Sequence, residues 1–138
     1  MKTLIFALSL LVIAPLAMAQ SATKGPLPDP IQVVEAQLAA FQDGDWEQAF
    51  SYAAEDIKAI FQSPQGFKRM VEAGYGYMTQ VRDVQLELLD QSEDRAAVKA
   101  VFLSGQVQID QVAYTLSIEE GQWRITGVYQ MRLTQEAA

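Results

Sequence analysis

Near Gly76 the spacing of apolar residues changes from every third or fourth position to every second, and one kind of secondary structure cannot satisfy both halves. Upstream, Asp29-Pro30 reads as a helix start, with Asp29 as N-cap and Pro30 in the first turn. Ile31, Val34, Leu38 and Phe41 follow on one helical face, and Gly44 ends it. Asp45 and Gln48 have the spacing of a capping box for a second helix, whose buried stripe is Trp46, Ala49, Phe50 and Ala53. A short helical piece is expected over 56–61. Ser63-Pro64 opens a further helix carrying Phe67, Met70 and Val71, with Gly74 as its stop.

Downstream, Val84, Leu86 and Leu88 alternate with polar residues, and 90–95 is a polar turn. Val98, Ala100 and Phe102 mark a second strand, expected to run on past Gly105 to Ile109. Val112, Tyr114, Leu116 and Ile118 mark a third, and 119–122 (EEGQ) is a hairpin turn. Strict alternation then places Trp123, Ile125, Gly127, Tyr129, Met131 and Leu133 on one face of the last strand. Helices first and an antiparallel meander second is an α+β arrangement. The apolar face of the sheet needs a cover, and the amphipathic helices supply it. A strongly curved sheet of about four strands wrapped against the N-terminal helices is the compact solution.

The first nineteen residues have the character of a cleavable export signal. Lys2 supplies a positive start, residues 4–13 are apolar, and Ala17 and Ala19 frame a cleavage site before Gln20. The apolar run falls short of the about 20 residues that cross a bilayer, and Pro15 interrupts it. Cleavage leaves about 120 residues, room for one core. Residues 20–28 (QSATKGPLP) read as a flexible leader, and the domain is expected over 29–134. The product is expected to be periplasmic or secreted. Without a cysteine after the cleavage site it has no lipid attachment, hence no stable membrane anchor.

The chain contains no cysteine and no histidine. Disulfides, thiol chemistry, Ser-His-Asp catalysis and the usual zinc sites are therefore excluded. A net charge of −7 with no basic run makes nucleic acid an unsuitable partner. No acidic cluster has calcium-loop spacing. Neither a metal nor a cofactor is expected, and no residue is assigned a catalytic role.

The run at 29–50 (DPIQVVEAQLAAFQDGDWEQAF) resembles the opening of nuclear transport factor 2-like domains, where a long helix ends in Gly-Asp and the next carries Ala-Phe. Tyr114-Thr115-Leu116 and 121–128 (GQWRITGV) are similar to that superfamily's last two strands. With Ser63-Pro64-Gln65-Gly66-Phe67, Met70-Val71 and Tyr75, the chain resembles an exported bacterial family, domain of unknown function 4864. The resemblance implies a cone, with helices against a concave sheet and a pocket at the open end.

Residues expected to line that pocket are Trp46, Tyr52, Phe61, Tyr75, Tyr77, Met78, Tyr114 and Tyr129. Apolar walls with a few phenols suit a small apolar ligand, while the same residues also suit plain core packing. Superfamily enzymes often place an Asp or His in the pocket. Here Asp83, Asp90, Asp94 and Asp110 are expected at strand ends, in turns or on the outer face, which leaves Asp56, near the helix junction, as the least poorly placed acid, and a solvated charge at a helix start accounts for it better. The preferred reading is a non-catalytic module that binds a small molecule or a protein. The alternatives are a cofactor-free isomerase or dehydratase using tyrosine electrophiles, and a purely structural homodimer with a filled cone. A homodimer is expected to pair through the outer sheet face, around Val101, Leu103 and Val128.

Overall fold

The structure, a computed structural model, describes residues 29–132. The expected signal (1–19), leader (20–28), and Leu133 with the tail lie outside the described residues. No helix among the described residues is long and apolar enough to cross a membrane.

Helix α1 spans Pro30–Asp43. Asp29 accepts from the Ile31 N–H at 2.9 Å, and the Gln32 side chain accepts from the Asp29 N–H at 3.1 Å, so reciprocal capping closes its first turn. Gly44 caps the other end in a left-handed conformation. Helix α2 (Trp46–Ser51) is capped by Asp45, which accepts from the Gln48 N–H at 3.1 Å. Helix α3 (Glu55–Phe61) has no side-chain cap of its own. A residue 64 positions away serves instead: Glu119 accepts from the Glu55 N–H at 3.0 Å. Helix α4 (Pro64–Gly74) starts at Ser63, as expected. A further helical turn, α5 (Tyr77–Gln80), follows where the sequence reading had already changed to strand. Its short polar-apolar run is closed by local bonds, including the Thr79 hydroxyl to the Gly76 carbonyl at 2.8 Å.

The strands are β1 (Asp83–Gln91), β2 (Arg95–Ser104), β3 (Val107–Glu119) and β4 (Gln122–Gln130). They form one open antiparallel meander in the order β1-β2-β3-β4. The expected continuation of the second strand to Ile109 is corrected. The chain reverses at Gly105, whose φ of 62° suits the first position of a tight hairpin turn, and residues 107–109 belong to β3.

Each strand pairing contains one register shift. The shift between β3 and β4 has the largest consequence. Thr115 pairs with Gly127 while Leu116 pairs with Ile125, which leaves Thr126 as an extra residue on β4. A bulge of this kind turns every following side chain to the other face. Trp123 and Ile125 therefore face the helices, as expected. Tyr129 does not: it pairs with Ala113 on the outer face and is 59% exposed. Its ring lies over Gly127, where an added Cβ would come within 3.0 Å of it. Val128 and Gln130, expected outside, instead pair with Tyr114 and Val112 of the helix-facing row.

The core lies between the helices and this row. It joins Val34, Leu38 and Phe41 of α1 to Val98 and Phe102 of β2, Val112, Tyr114 and Leu116 of β3, and Trp123 and Ile125 of β4. Among the described residues Gln37 is the one polar side chain buried, and its amide donates to the Ala49 carbonyl at 3.2 Å. That bond ties α1 to α2 and satisfies the buried amide.

Candidate functional site

The eight residues expected to line one pocket separate into four places. Trp46 and Phe61 join an aromatic cluster made by the helices themselves. Phe67 of α4 is its hub, with Phe41, Phe50 and Phe61 at ring distances of 5.9, 5.5 and 6.0 Å. Trp46 closes it from α2, 5.3 Å from Phe41, with the Lys68 ammonium 6.0 Å from its ring. These rings bury the inner faces of α1, α2 and α4 against one another. Tyr52 stands at the end of α2, where its hydroxyl accepts from the Gln48 amide at 2.9 Å. Tyr129 lies outside the sheet.

The other four come together beneath α5. Gly74 ends α4 and the α5 turn follows, which sets Tyr75 and Tyr77 side by side at 6.4 Å. Tyr77 meets Phe102 of β2 edge to face at 5.0 Å. Tyr114, projecting from β3, is fully buried, and its hydroxyl donates to the Met78 sulfur at 3.6 Å. The Gln130 amide reaches the Tyr77 hydroxyl at 3.4 Å, a contact that exists only because the bulge turned Gln130 inward.

Asp110, expected at a strand end, in a turn or on the outer face, is also elsewhere. It pairs with Phe102 on the helix-facing row, and its carboxylate lies against the Tyr77 phenol. The signal was present: Asp110 has the same strand parity as Val112 and Tyr114. Asp56 is exposed in the first turn of α3.

Burial, and then the Asp110 charge, hold the Tyr77 proton on well above the ordinary tyrosine range. Burial does the same for Tyr114. Both phenols are therefore hydrogen-bond donors at any physiological pH and cannot act as bases. The cluster is chemically a set of neutral donors beside one carboxylate. Among the described residues every fully buried side-chain nitrogen and oxygen has a partner.

Three concavities stand out on the surface, and none is lined by any of the eight residues. One, of about 490 Å³, runs between α1 and β1, over Ile31, Leu38, Val84 and Leu86 with Glu35, Gln42 and Arg82 at its sides. Another of about 490 Å³ opens at the β1–β2 end of the sheet beside Asp90, Arg95, Thr115 and Thr126. The Thr115 and Thr126 hydroxyls there bond each other at 2.9 Å. A smaller one, of about 340 Å³, is a hollow on α1. Among the described residues no three carboxylates converge as metal ligands would.

Residues 29–138 match the family described as Domain of unknown function (DUF4864). A search of curated proteins found no match. Among solved structures, one from Xanthomonas campestris, provisionally described as a calcium/calmodulin dependent protein kinase II association domain, aligns over 75% of this chain and 84% of its own. The two are 14% identical with a TM-score of 0.38.

Proposed function

Because the chain belongs to the domain of unknown function 4864 family, we propose its function from geometry: an exported, non-catalytic module that acts by binding protein through its surface. The observation that carries this is the filled cone. Where a ligand would enter, Tyr75, Tyr77, Met78, Tyr114 and Phe102 pack on one another, with the Tyr114 hydroxyl already bonded to Met78. A small-molecule site of the usual kind keeps a cavity of about 300–1,000 Å³ with polar groups free to orient the guest. Among the described residues no concavity of that size is lined by this cluster; those of about 490 Å³ open instead between α1 and β1 and beside Asp90, Arg95, Thr115 and Thr126.

Native mass spectrometry of the protein from its own host tests this reading. The expected species is the chain from Gln20 onward, with no non-protein mass bound. A copurifying small molecule that is lost on Tyr77→Phe would instead establish the tyrosine cluster as a ligand site.

A second reading has one specific observation behind it. Asp110 and Tyr77 place a carboxylate beside a phenol at the rim of the cone, the pair that a proton-transfer enzyme of the isomerase type would need. Turnover of a small carbonyl substrate, abolished by Asp110→Asn with the fold intact, would favour it.

A further inference from the structure

The two edges of the sheet are treated differently. At β4 the chain between α2 and α3 lies alongside: Ala53 bridges Ile125, the Ala54 N–H donates to the Ile125 carbonyl at 2.8 Å, and the Ile125 N–H donates to the Tyr52 carbonyl at 2.9 Å. At β1 no backbone bond from beyond β2 reaches the strand among the described residues. A nine-residue strand thus presents a row of open amides and carbonyls. Over its first half it has neither proline nor lysine, its charges being Asp83 and a Glu87 already paired with Lys99 of β2 at 2.7 Å, and its bulge lies at the far end, between Leu88 and Asp90. Its helix-facing row is also incompletely covered. Val84 and Leu86 floor the groove beside α1, Leu88 is 38% exposed, and Leu89 at the bulge is 45% exposed.

We propose that this edge binds a second copy of the chain, β1 against β1 antiparallel across a two-fold axis at Leu86, joining the two sheets into one of eight strands. The proposal rests on the reading of the domain as a protein-binding module and names its partner. The strand's own sequence suits a second copy and narrows the register. A two-fold perpendicular to the sheet pairs side chains of the same face, so the axis passes through a residue. Centred on Leu86, Val84 meets the partner's Leu88, Leu86 meets the partner's Leu86, and Gln85 meets the partner's Glu87. Every helix-facing contact is then apolar. The outward pair is an amide donor beside a carboxylate, and no like charges face each other. Moving the axis to Gln85 sets Asp83 against the partner's Glu87, and moving it to Glu87 sets that carboxylate against itself. Opposed like charges on neighbouring strands disfavour both. The Leu86 axis also brings the partner's Leu88 beside Val84, at the groove that Ile31 and Leu38 line.

The chain has no native cysteine, so an introduced one reports proximity unambiguously. In the full chain, Leu86→Cys is expected to oxidise to a disulfide-linked dimer, and Tyr129→Cys, on the outer face, to stay reduced. Light scattering during size-exclusion chromatography is expected to show a dimer for the wild type. Gln85→Glu creates like-charge pairs with the partner's Glu87 and is expected to raise the dimer dissociation constant about fivefold; Gln85→Lys lowers it by about the same factor. Gln85 is exposed, so this opposed pair of effects remains decisive should Leu86→Cys misfold. A dimer that cross-links through Tyr129→Cys and ignores Gln85 would overturn the proposal in favour of the outer face. A monomer at all concentrations would also overturn it. A reactive thiol in the Leu86→Cys variant would then mean an edge open to another partner, and a shielded thiol would mean an edge covered by residues of the same chain. None of these results depends on whether a small molecule copurifies, so the two readings fail separately.

Discussion

Tyr114 carries its hydroxyl into the core and Tyr77 holds its own, half-buried, beside Asp110, and what those groups can do follows from their surroundings. In the unfolded chain both ionise near pH 10; in the folded chain burial keeps the proton on above that range. Above about pH 10 the unfolded state therefore binds fewer protons than the native state, and stability falls as pH rises. The stabilising difference is fully present below pH 10. Of the five tyrosines, Tyr77 and Tyr114 are expected to form phenolate only as the far-ultraviolet circular dichroism collapses. Tyr114→Phe is expected to shift that alkaline transition to higher pH. An ultraviolet titration in which Tyr77 and Tyr114 ionise near pH 10 with the fold intact would show that these two are solvated. The tyrosines themselves were legible as candidates from the sequence. Their company was not, because Asp110 and Gln130 reach Tyr77 only through the register of β2 with β3 and of β3 with β4.

Elements whose signals are local were read from the sequence nearly to the residue. Asp29, Pro30 and Gly44 bound α1 because capping needs only neighbouring backbone groups, and Ser63-Pro64 opens α4 for the same reason. The β3–β4 hairpin is equally local. Glu120 and Gly121 both have positive φ, 51° and 75°, as a two-residue type I′ turn demands. Glycine accepts that conformation without cost, whereas a glutamate there is strained. Glu120→Asn is accordingly expected to stabilise the protein by about 0.5–1 kcal/mol, since asparagine tolerates the left-handed region. A lower denaturation midpoint for this variant would show that the Glu120 side chain outweighs its backbone strain. The bulge at Thr126 had no comparable signal. Alternation continues through it in the sequence, and the extra residue exists only in the pairing of two strands. One such insertion moved Tyr129 out and Val128 and Gln130 in.

Among the described residues there is one core, and a single side chain can be felt by all of it. Trp123 is 4% exposed and belongs to the cluster that joins α1, α2, α4 and three strands. Trp123→Ala is expected to cost roughly 3–5 kcal/mol, a large share of the about 5–15 kcal/mol that holds a domain of this kind together. Denaturant unfolding measures it, and an unchanged midpoint would place Trp123 outside the cooperative unit. By itself the sequence determined the class of fold, the order of helices and meander, and the chemistry ruled out by the missing cysteine and histidine. Composition, period and caps are properties of short stretches of chain. Which of the candidate pocket residues come together, and which edge of the sheet is left open among the described residues, were decided only in the tertiary structure. Both depend on how residues distant in sequence share space, with Tyr114 seated on Met78 and Ala53 laid against Ile125 while β1 has no such neighbour.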